Sequence, residues 1–308
     1  MTNKERYRQL CETEGLYVPL FQQYWWMETV CAGKQWDVLL CEEHGRLVGA
    51  LPYLYGKKWG LKYIMLPLLT PWNGPWIDPS LDVNATQTVL ASLAQAVRDL
   101  HPVLYLQKFS PDVSDWLPFY WAGFRQTTRY TYRFDPLPAP SELRALAAKE
   151  RRKGIETVEA AYHVDRNVGV EEFADFHTAY WERRGGHDWL SRIFIIGVCR
   201  TALERGQALL YGLRGDSGAL MAARFVVYDG RCAYSLLSAL HPDALRNSMT
   251  LLVWTLMADL YGRSVAFDFE GSMDPGIEHF YRSFGTRQTP LHCVYFSRLP
   301  FVHMLLKL

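Results

Sequence analysis

Two carboxylates stand at alternate positions in Ala266-Phe267-Asp268-Phe269-Glu270-Gly271-Ser272. In an extended strand that spacing puts both on one face. Burying such a pair is costly without partners, and neighbouring carboxylates drive their titrations apart, leaving one suited to general-base chemistry. Glu270, beside the Gly271-Ser272 turn, is the first choice for that base and Asp268 the second. The structural alternative is a salt bridge to Arg282 or Arg287, or an aspartate that caps the loop.

A second group precedes it. Arg246-Asn247-Ser248-Met249 opens a segment whose apolar residues Leu251, Leu252, Trp254, Leu256 and Met257 suit a buried helix. Free N–H groups and the dipole at a helix start attract anions, and Arg246 adds a positive charge, so a pyrophosphate would be stabilised there. An ordinary capped helix is the plainer reading. Lys149-Glu150-Arg151-Arg152-Lys153 is either a solvated helix end or, through Arg151, a contact to phosphate on a donor or a nucleotide-linked acceptor. Trp72, Asn73 and Trp76 set aromatic faces beside an amide, which suits a sugar or peptide and equally suits packing. Residues 183–189 form a charged helix exit with a diglycine, a lid or a plain loop.

The more specific signatures are missing. The chain has no Walker loop, no GxGxxG after a strand, no HExxH and no GxSxG elbow. Its nine histidines lack ligand spacing, and its six cysteines are never closer than ten positions apart, so no metal is expected and the thiols read as reduced core residues. With 33 Lys+Arg against 32 Asp+Glu the net charge is +1, so any contact with a polyanion must come from a local patch and a dedicated DNA-binding protein is not expected. The longest mostly apolar stretch, residues 249–258, is far short of the about 20 residues a membrane span needs. The N-terminus carries no apolar signal region, and a cytoplasmic location is expected.

A chain of 308 residues with 49% hydrophobic content has room for about two domains to position these groups. In the first half, residues 36–55 read as a hairpin, 61–66 as a third strand, 84–100 as an amphipathic helix, 103–109 as a strand, 113–121 as a short helix and 125–134 as a closing strand. The second half nearly repeats the order. A strand at 155–162 and helices at 170–184 and 191–205 lead to three antiparallel strands at 208–213, 219–228 and 232–239. Then come a helix at 246–261, a strand at 265–269, a helix at 276–283 and a strand at 287–296. The turns share letters, Gly123-Phe124-Arg125-Gln126-Thr127 against Gly285-Thr286-Arg287-Gln288-Thr289. The pattern implies a duplicated α/β unit, with domains at 1–140 and 141–308. The prolines of 136–140 and a polar helix at 141–153 form the linker.

The segment Phe267-Asp268-Phe269-Glu270-Gly271, followed by a helix ending Phe280-Tyr281-Arg282-Ser283-Phe284-Gly285, resembles the C-terminal signature of FemAB-like proteins, the tandem-domain branch of the GNAT acyltransferases. The run Leu146 to Ile155 is similar to the basic helix by which that family enters its second domain. The resemblance covers nearly the whole chain and implies two tandem GNAT-like domains of mixed α/β sheet. It implies a splayed strand pair binding the pantetheine arm of acetyl-CoA or another acyl-CoA, which puts Ser235, Leu236, Leu237 and Ser238 on the arm and Arg246, Asn247, Ser248 and Met249 on the phosphates. The acceptor would be an amine on a small molecule or a sugar, peptide or cell-envelope precursor. Glu270 or Asp268 would take its proton, and Tyr281 would return one to the thiolate. The sequence departs from the family at Tyr281, where FemAB-type proteins commonly carry lysine, and by lacking a glycine-rich phosphate loop in 241–249. No room remains between Glu159 and Gln207 for the coiled-coil insertion of aminoacyl-tRNA users, so an acyl-CoA donor is favoured over tRNA-dependent peptidoglycan aminoacyl transfer. A GNAT-fold binding module without turnover is the competing class.

Overall fold

The computed structural model describes residues 1–185 and 190–298, and residues 186–189 of the candidate lid segment lie outside them. The described chain divides into two compact units. One is Met1–Arg129 completed by residues from Pro290 onward, and the other is Tyr130–Thr289. The proline-rich stretch at 136–140 therefore belongs to the second unit, and the chain passes between units inside two strands rather than at a linker.

In the first unit, β1 (Gln35–Glu43) and β2 (Arg46–Lys58) form an antiparallel hairpin. Its two loop residues, His44 and Gly45, both have positive φ, the geometry that matches the twist of a tight hairpin. β3 (Leu61–Met65) pairs antiparallel with β2, β4 (Trp76–Ile77) also lies on β2, and β5 (Leu104–Lys108) runs parallel to β3. The helix Val83–Asp99 makes that parallel return possible. It buries Val89, Leu90, Leu93, Ala94 and Val97, one helical face, against Leu51, Ile64, Tyr105 and Phe109. Asp82 caps its start by accepting the Ala85 N–H at 2.8 Å. The strand at 125–134 is β6 (Arg125–Phe134), in which the chain leaves this unit. β12 (Arg287–Ser297) supplies the last strand, pairing antiparallel with β5 from Cys293↔Lys108 to Ser297↔Leu104.

In the second unit the order is β6, β11 (Ala266–Asp268), β10 (Cys232–Leu240), β9 (Leu220–Tyr228), β8 (Ala208–Arg214) and β7 (His163–Asp165). Every neighbour is antiparallel except β10 and β11. The helix Ser248–Leu260 connects that parallel pair, and it is apolar almost all round because it lies in the core with Phe267, Phe269 and Phe284. The closing strand is β12 (Arg287–Ser297).

Three expectations fail for local reasons. Residues 155–161 are a helix, Ile155–Ala161, not a strand. Its buried Ile155 and Val158 are three apart, a helical and not an alternating spacing, and Gly154 starts it at φ 73°. The helix expected at 141–153 is two short pieces, Leu143–Leu146 and Lys149–Arg152, with extended backbone at Ala147 and Ala148. The Ala148 N–H is drawn off to the Ser283 carbonyl at 2.8 Å. The carboxylate alternation also breaks. β11 ends at Asp268, and Glu270 has left the sheet face with φ 68°. Among the described residues, no helix is long and apolar enough to cross a membrane.

Candidate active site

The defining feature of the second unit is a parting of strands. β10 and β11 pair only over Cys232↔Ala266, Ala233↔Phe267 and Tyr234↔Asp268, whereas β10 continues to Leu240. Its register against β9 slips between Ser235 and Leu237, a bulge at Leu236 that bends the strand where the partner departs. A cleft of about 660 Å³ opens here, lined by Leu236 to Leu240, by the helix start from Arg246 to Thr250, and by Arg151, Arg224 and Tyr281. A further wall is the aromatic end of the helix Val170–Arg183, with His177, Tyr180 and Trp181. Trp181 donates its indole N–H to His177 at 3.2 Å.

Each predicted donor-site residue has a defined place. Arg246 is exposed and lines the cleft. Arg151 lines it too, lying over the Phe280 ring at 5.2 Å. Its pKa is lowered, first by burial and then by the nearby charge of Arg246, so two guanidiniums share one end of the cleft. Asn247 plays a different part from that expected: its side chain donates to the carbonyls of Glu150 at 2.8 Å and Lys153 at 3.0 Å, and its backbone holds φ 71°. It ties the Arg151 segment to the helix start. The Ser248 hydroxyl is likewise engaged locally, donating to the Leu245 carbonyl at 2.6 Å. The groups left facing an anion are the arginines and the helix's first turn. Ser235 is buried and accepts from Arg224, while Leu236, Leu237 and Ser238 line the cleft.

Tyr281 is brought into the cleft by the helix Pro275–Arg282. Asp274 caps that helix through the N–H groups of Gly276 at 2.9 Å and Ile277 at 3.0 Å, and Phe269 seats it, 5.4 Å from the Tyr281 ring and 4.9 Å from that of Phe284. Burial raises the Tyr281 pKa, the main effect, and Arg224 opposes it by charge and hydrogen bonding. Glu270 acts electrostatically on both Tyr281 and Arg224, and it is not among the residues lining the cleft. Asp268 is 1% exposed. It accepts from the Thr131 hydroxyl and from the Glu270 N–H at 2.7 Å, with Arg133 Nε 3.7 Å from its other oxygen. Burial pushes its pKa up to about 6 against the opposition of those partners. Its ion-pair partner is thus Arg133; Arg282 pairs with Glu278 at 2.9 Å instead.

The first-unit residues are a correction. Trp72, Asn73 and Trp76 are 2%, 0% and 3% exposed. Trp72 packs edge-on against Phe21 at 5.2 Å, Asn73 donates its backbone N–H to the Lys108 carbonyl at 2.8 Å, and Trp76 donates its indole N–H to Tyr17 at 3.0 Å. Their faces are filled by the fold and offer nothing to a sugar or peptide. Sequence reasoning also passed over Arg224, whose signal was visible: a lone charge inside the apolar strand Leu220–Tyr228.

Comparison with known proteins agrees with this geometry. Residues 141–280 match the acetyltransferase (GNAT) domain family. No curated protein sequence matches the chain. Among solved structures, FemX superposes with a TM-score of 0.72 at 13% identity, covering 100% of this chain and 99% of its own. A tandem GNAT protein from the clavulanic acid biosynthesis pathway gives 0.56 at 13% identity, covering 94% and 92%. The C-terminal domain of a putative lysylphosphatidylglycerol synthetase from Agrobacterium fabrum gives 0.58 at 13%, covering 95% and 92%. Residues 141–280, within the unit that carries the parted strands, thus match a GNAT acetyltransferase domain, and the chain as a whole shares the fold of FemX and of the tandem GNAT protein.

Proposed function

We propose that the second unit transfers an acyl group from an acyl-CoA to an amine on a small molecule or cell-envelope precursor. The parting of β10 from β11 beyond Tyr234 and Asp268 carries this reading. It leaves the β11-side edge of Ser235 to Ser238 without its strand partner beside the cleft, where an extended amide-bearing arm would complete the ladder. At one end of that cleft, Arg151, Arg246 and the first turn of the helix Ser248–Leu260 suit a pyrophosphate. When bound, the donor supplies an activated thioester.

The chain's own groups then manage protons. Glu270, which does not itself line the cleft, takes through one intervening water the proton that the amine loses as its nitrogen bonds to the thioester carbon. Tyr281, kept protonated by burial, gives its proton to sulfur as the carbon–sulfur bond breaks. The products are an amide and a thiol, and the proton on Glu270 replaces the one Tyr281 gave. Glu270 is chosen because its charge acts on both Tyr281 and Arg224, which line the cleft. Thermal-shift titration with acetyl-CoA, longer acyl-CoAs and free CoA tests the donor. A ligand at 100 times its Kd stabilises by about 2.7 kcal/mol. Arg246→Ala should reduce the shift, and binding without turnover of any amine would favour the binding-module alternative.

A further inference from the structure

The hairpin that joins β2 to β3 carries the most exposed large apolar side chain among the described residues. Trp59 is 88% exposed, and Leu61 beside it 41%. The two loop residues, Trp59 and Gly60, have φ 52° and 77°, the positive values of a tight hairpin turn that favours Asn-Gly. A bulky side chain is unfavourable in that conformation. The β1–β2 hairpin meets the same demand with His44 and Gly45, at φ 50° and 79°, so the turn itself does not call for tryptophan. Trp59 thus costs the fold twice, in backbone conformation and in apolar surface left in water.

The charges around it are of one sign. Lys57 stands directly across the ladder from Lys62, and Lys58 across from Leu61. Like charges so opposed destabilise a strand pair, yet residues 47–77 contain no Asp or Glu to balance them. Among the described residues none of the three lysines forms an ion pair. The Lys58 ammonium lies 4.9 Å from the Trp59 ring centre and that of Lys62 lies 5.6 Å from the Tyr55 ring centre, so cations rim the aromatic faces. The positive edge continues onto the neighbouring strands: Val103 donates its N–H to the Lys62 carbonyl at 2.8 Å and accepts at its own carbonyl the N–H of exposed Arg298 at 2.9 Å.

We propose that this hairpin tip seats the first unit on an anionic lipid surface, with Trp59 and Leu61 entering the headgroup region and Lys57, Lys58 and Lys62 meeting lipid phosphates. Tryptophan settles at a membrane interface because its ring is apolar while its indole N–H still finds a polar partner. Lysines near an anionic leaflet each add attraction, and their long stems keep the ammonium groups at headgroup level. Lipid phosphates supply the counter-charge that the Lys57↔Lys62 pair lacks. A nucleic acid fits less well. Residues 57–61 form an exposed projection, not a groove that could track a strand, and aliphatic Leu61 offers a base no stacking face. The surface lies in the first unit and stands independently of the acyl-transfer reading.

The test is co-sedimentation of the full chain with vesicles of phosphatidylcholine alone and of phosphatidylcholine mixed with phosphatidylglycerol. Binding should require phosphatidylglycerol and weaken as salt is raised. Trp59→Asn suits the positive-φ turn, so it should melt no lower than the wild-type protein while its vesicle affinity falls at least about fivefold. The triple variant Lys57→Gln, Lys58→Gln, Lys62→Gln should lose about 100-fold, at about fivefold per lysine. Trp121→Ala removes another exposed tryptophan of the same unit and should bind as the wild type does. A purely structural role for Trp59 would lower the melting temperature of Trp59→Asn and leave vesicle binding unchanged, which overturns the proposal. So would indifference to anionic vesicles, or equal binding to neutral ones. Tighter, Trp59-dependent binding of a single-stranded RNA oligonucleotide would give the hairpin to nucleic acid instead, and a dimer that Trp59→Asn converts to monomer would give it to a second copy of the chain.

Discussion

Asp268 and Glu270 are joined through the backbone: one oxygen of the Asp268 carboxylate accepts the Glu270 N–H at 2.7 Å and the Thr131 hydroxyl as well. The carboxylate that sequence alternation offered as a second base is therefore the clamp for the first. It holds the chain where Glu270 takes the left-handed φ of 68°, a conformation unfavourable for a residue with a side chain.

The clamp has a pH signature. Asp268 has a folded-state pKa of about 6 against an ordinary 3.8, because burial disfavours its charge. The native state then holds the proton more tightly than the unfolded chain. Its contribution to stability is full below about pH 4, falls as pH rises towards 6, and is flat above. The span corresponds to a loss on the order of 3 kcal/mol. Asp268→Asn retains an oxygen to accept both hydrogen bonds and cannot ionise. Urea denaturation from pH 4 to 7 should show the wild-type protein losing stability relative to this variant, and parallel curves would refute the assignment.

Glu270→Gln removes a proton acceptor at constant volume. Acyl transfer should fall about 10²- to 10⁴-fold with the melting temperature nearly unchanged. If the main service of Glu270 is instead to balance buried Arg224, the variant should lose stability while its folded fraction turns over normally. Melting temperature and kcat on one preparation separate these outcomes.

Gly271 is a place where only glycine fits. A Cβ there would meet the Tyr130 carbonyl oxygen at 1.8 Å, a backbone atom that cannot rotate away. Gly271→Ala should destabilise the protein by about 1–3 kcal/mol through forced displacement. It should also lower kcat, because the displaced backbone is that of Glu270. Gly197 lies within the helix Arg192–Glu204 with nothing within 4 Å of a built Cβ. Gly197→Ala should stabilise by about 0.5–1 kcal/mol, so chemical denaturation of the two variants should give opposite signs.

Asn247 links the Arg151 segment to the helix start through two carbonyl acceptors. Asn247→Gly preserves the left-handed backbone but loses those bonds, whereas Asn247→Ala loses both. Donor affinity, read by calorimetric titration with CoA, should weaken in each as Arg151 is released. The alanine variant should be the less stable by about 1 kcal/mol, and equal stability would remove the backbone from the explanation.

Much of the scaffold was readable because its signals are local. His44-Gly45 marks its hairpin, and the buried face of Val83–Asp99 has helical spacing. The order of strands and helices in the second unit follows the same way. Residues 155–162 read as a strand, but the three-residue spacing of buried Ile155 and Val158 belongs to a helix. The site was legible only in part. Tyr281 and Arg246 stand out in their segments by residue type, and both line the cleft. The contacts of Asn247 and Asp268 depend on partners at Glu150, Lys153, Thr131 and Arg133, which only the fold brings near. Trp72 and Trp76 could serve a ligand or a core, and burial, a tertiary property, chose the core.

The exchange of the last strand sets an order of completion during synthesis. Every residue of the second unit lies between Tyr130 and Thr289, so that unit is whole once this span has emerged. The first unit, although begun earlier, still lacks the strand that pairs with β5 until Cys293 to Ser297 have been made. The usual N-to-C sequence of domain folding can therefore be inverted: the unit carrying the cleft is able to close first, and the N-terminal unit waits with an open β5 edge for β12.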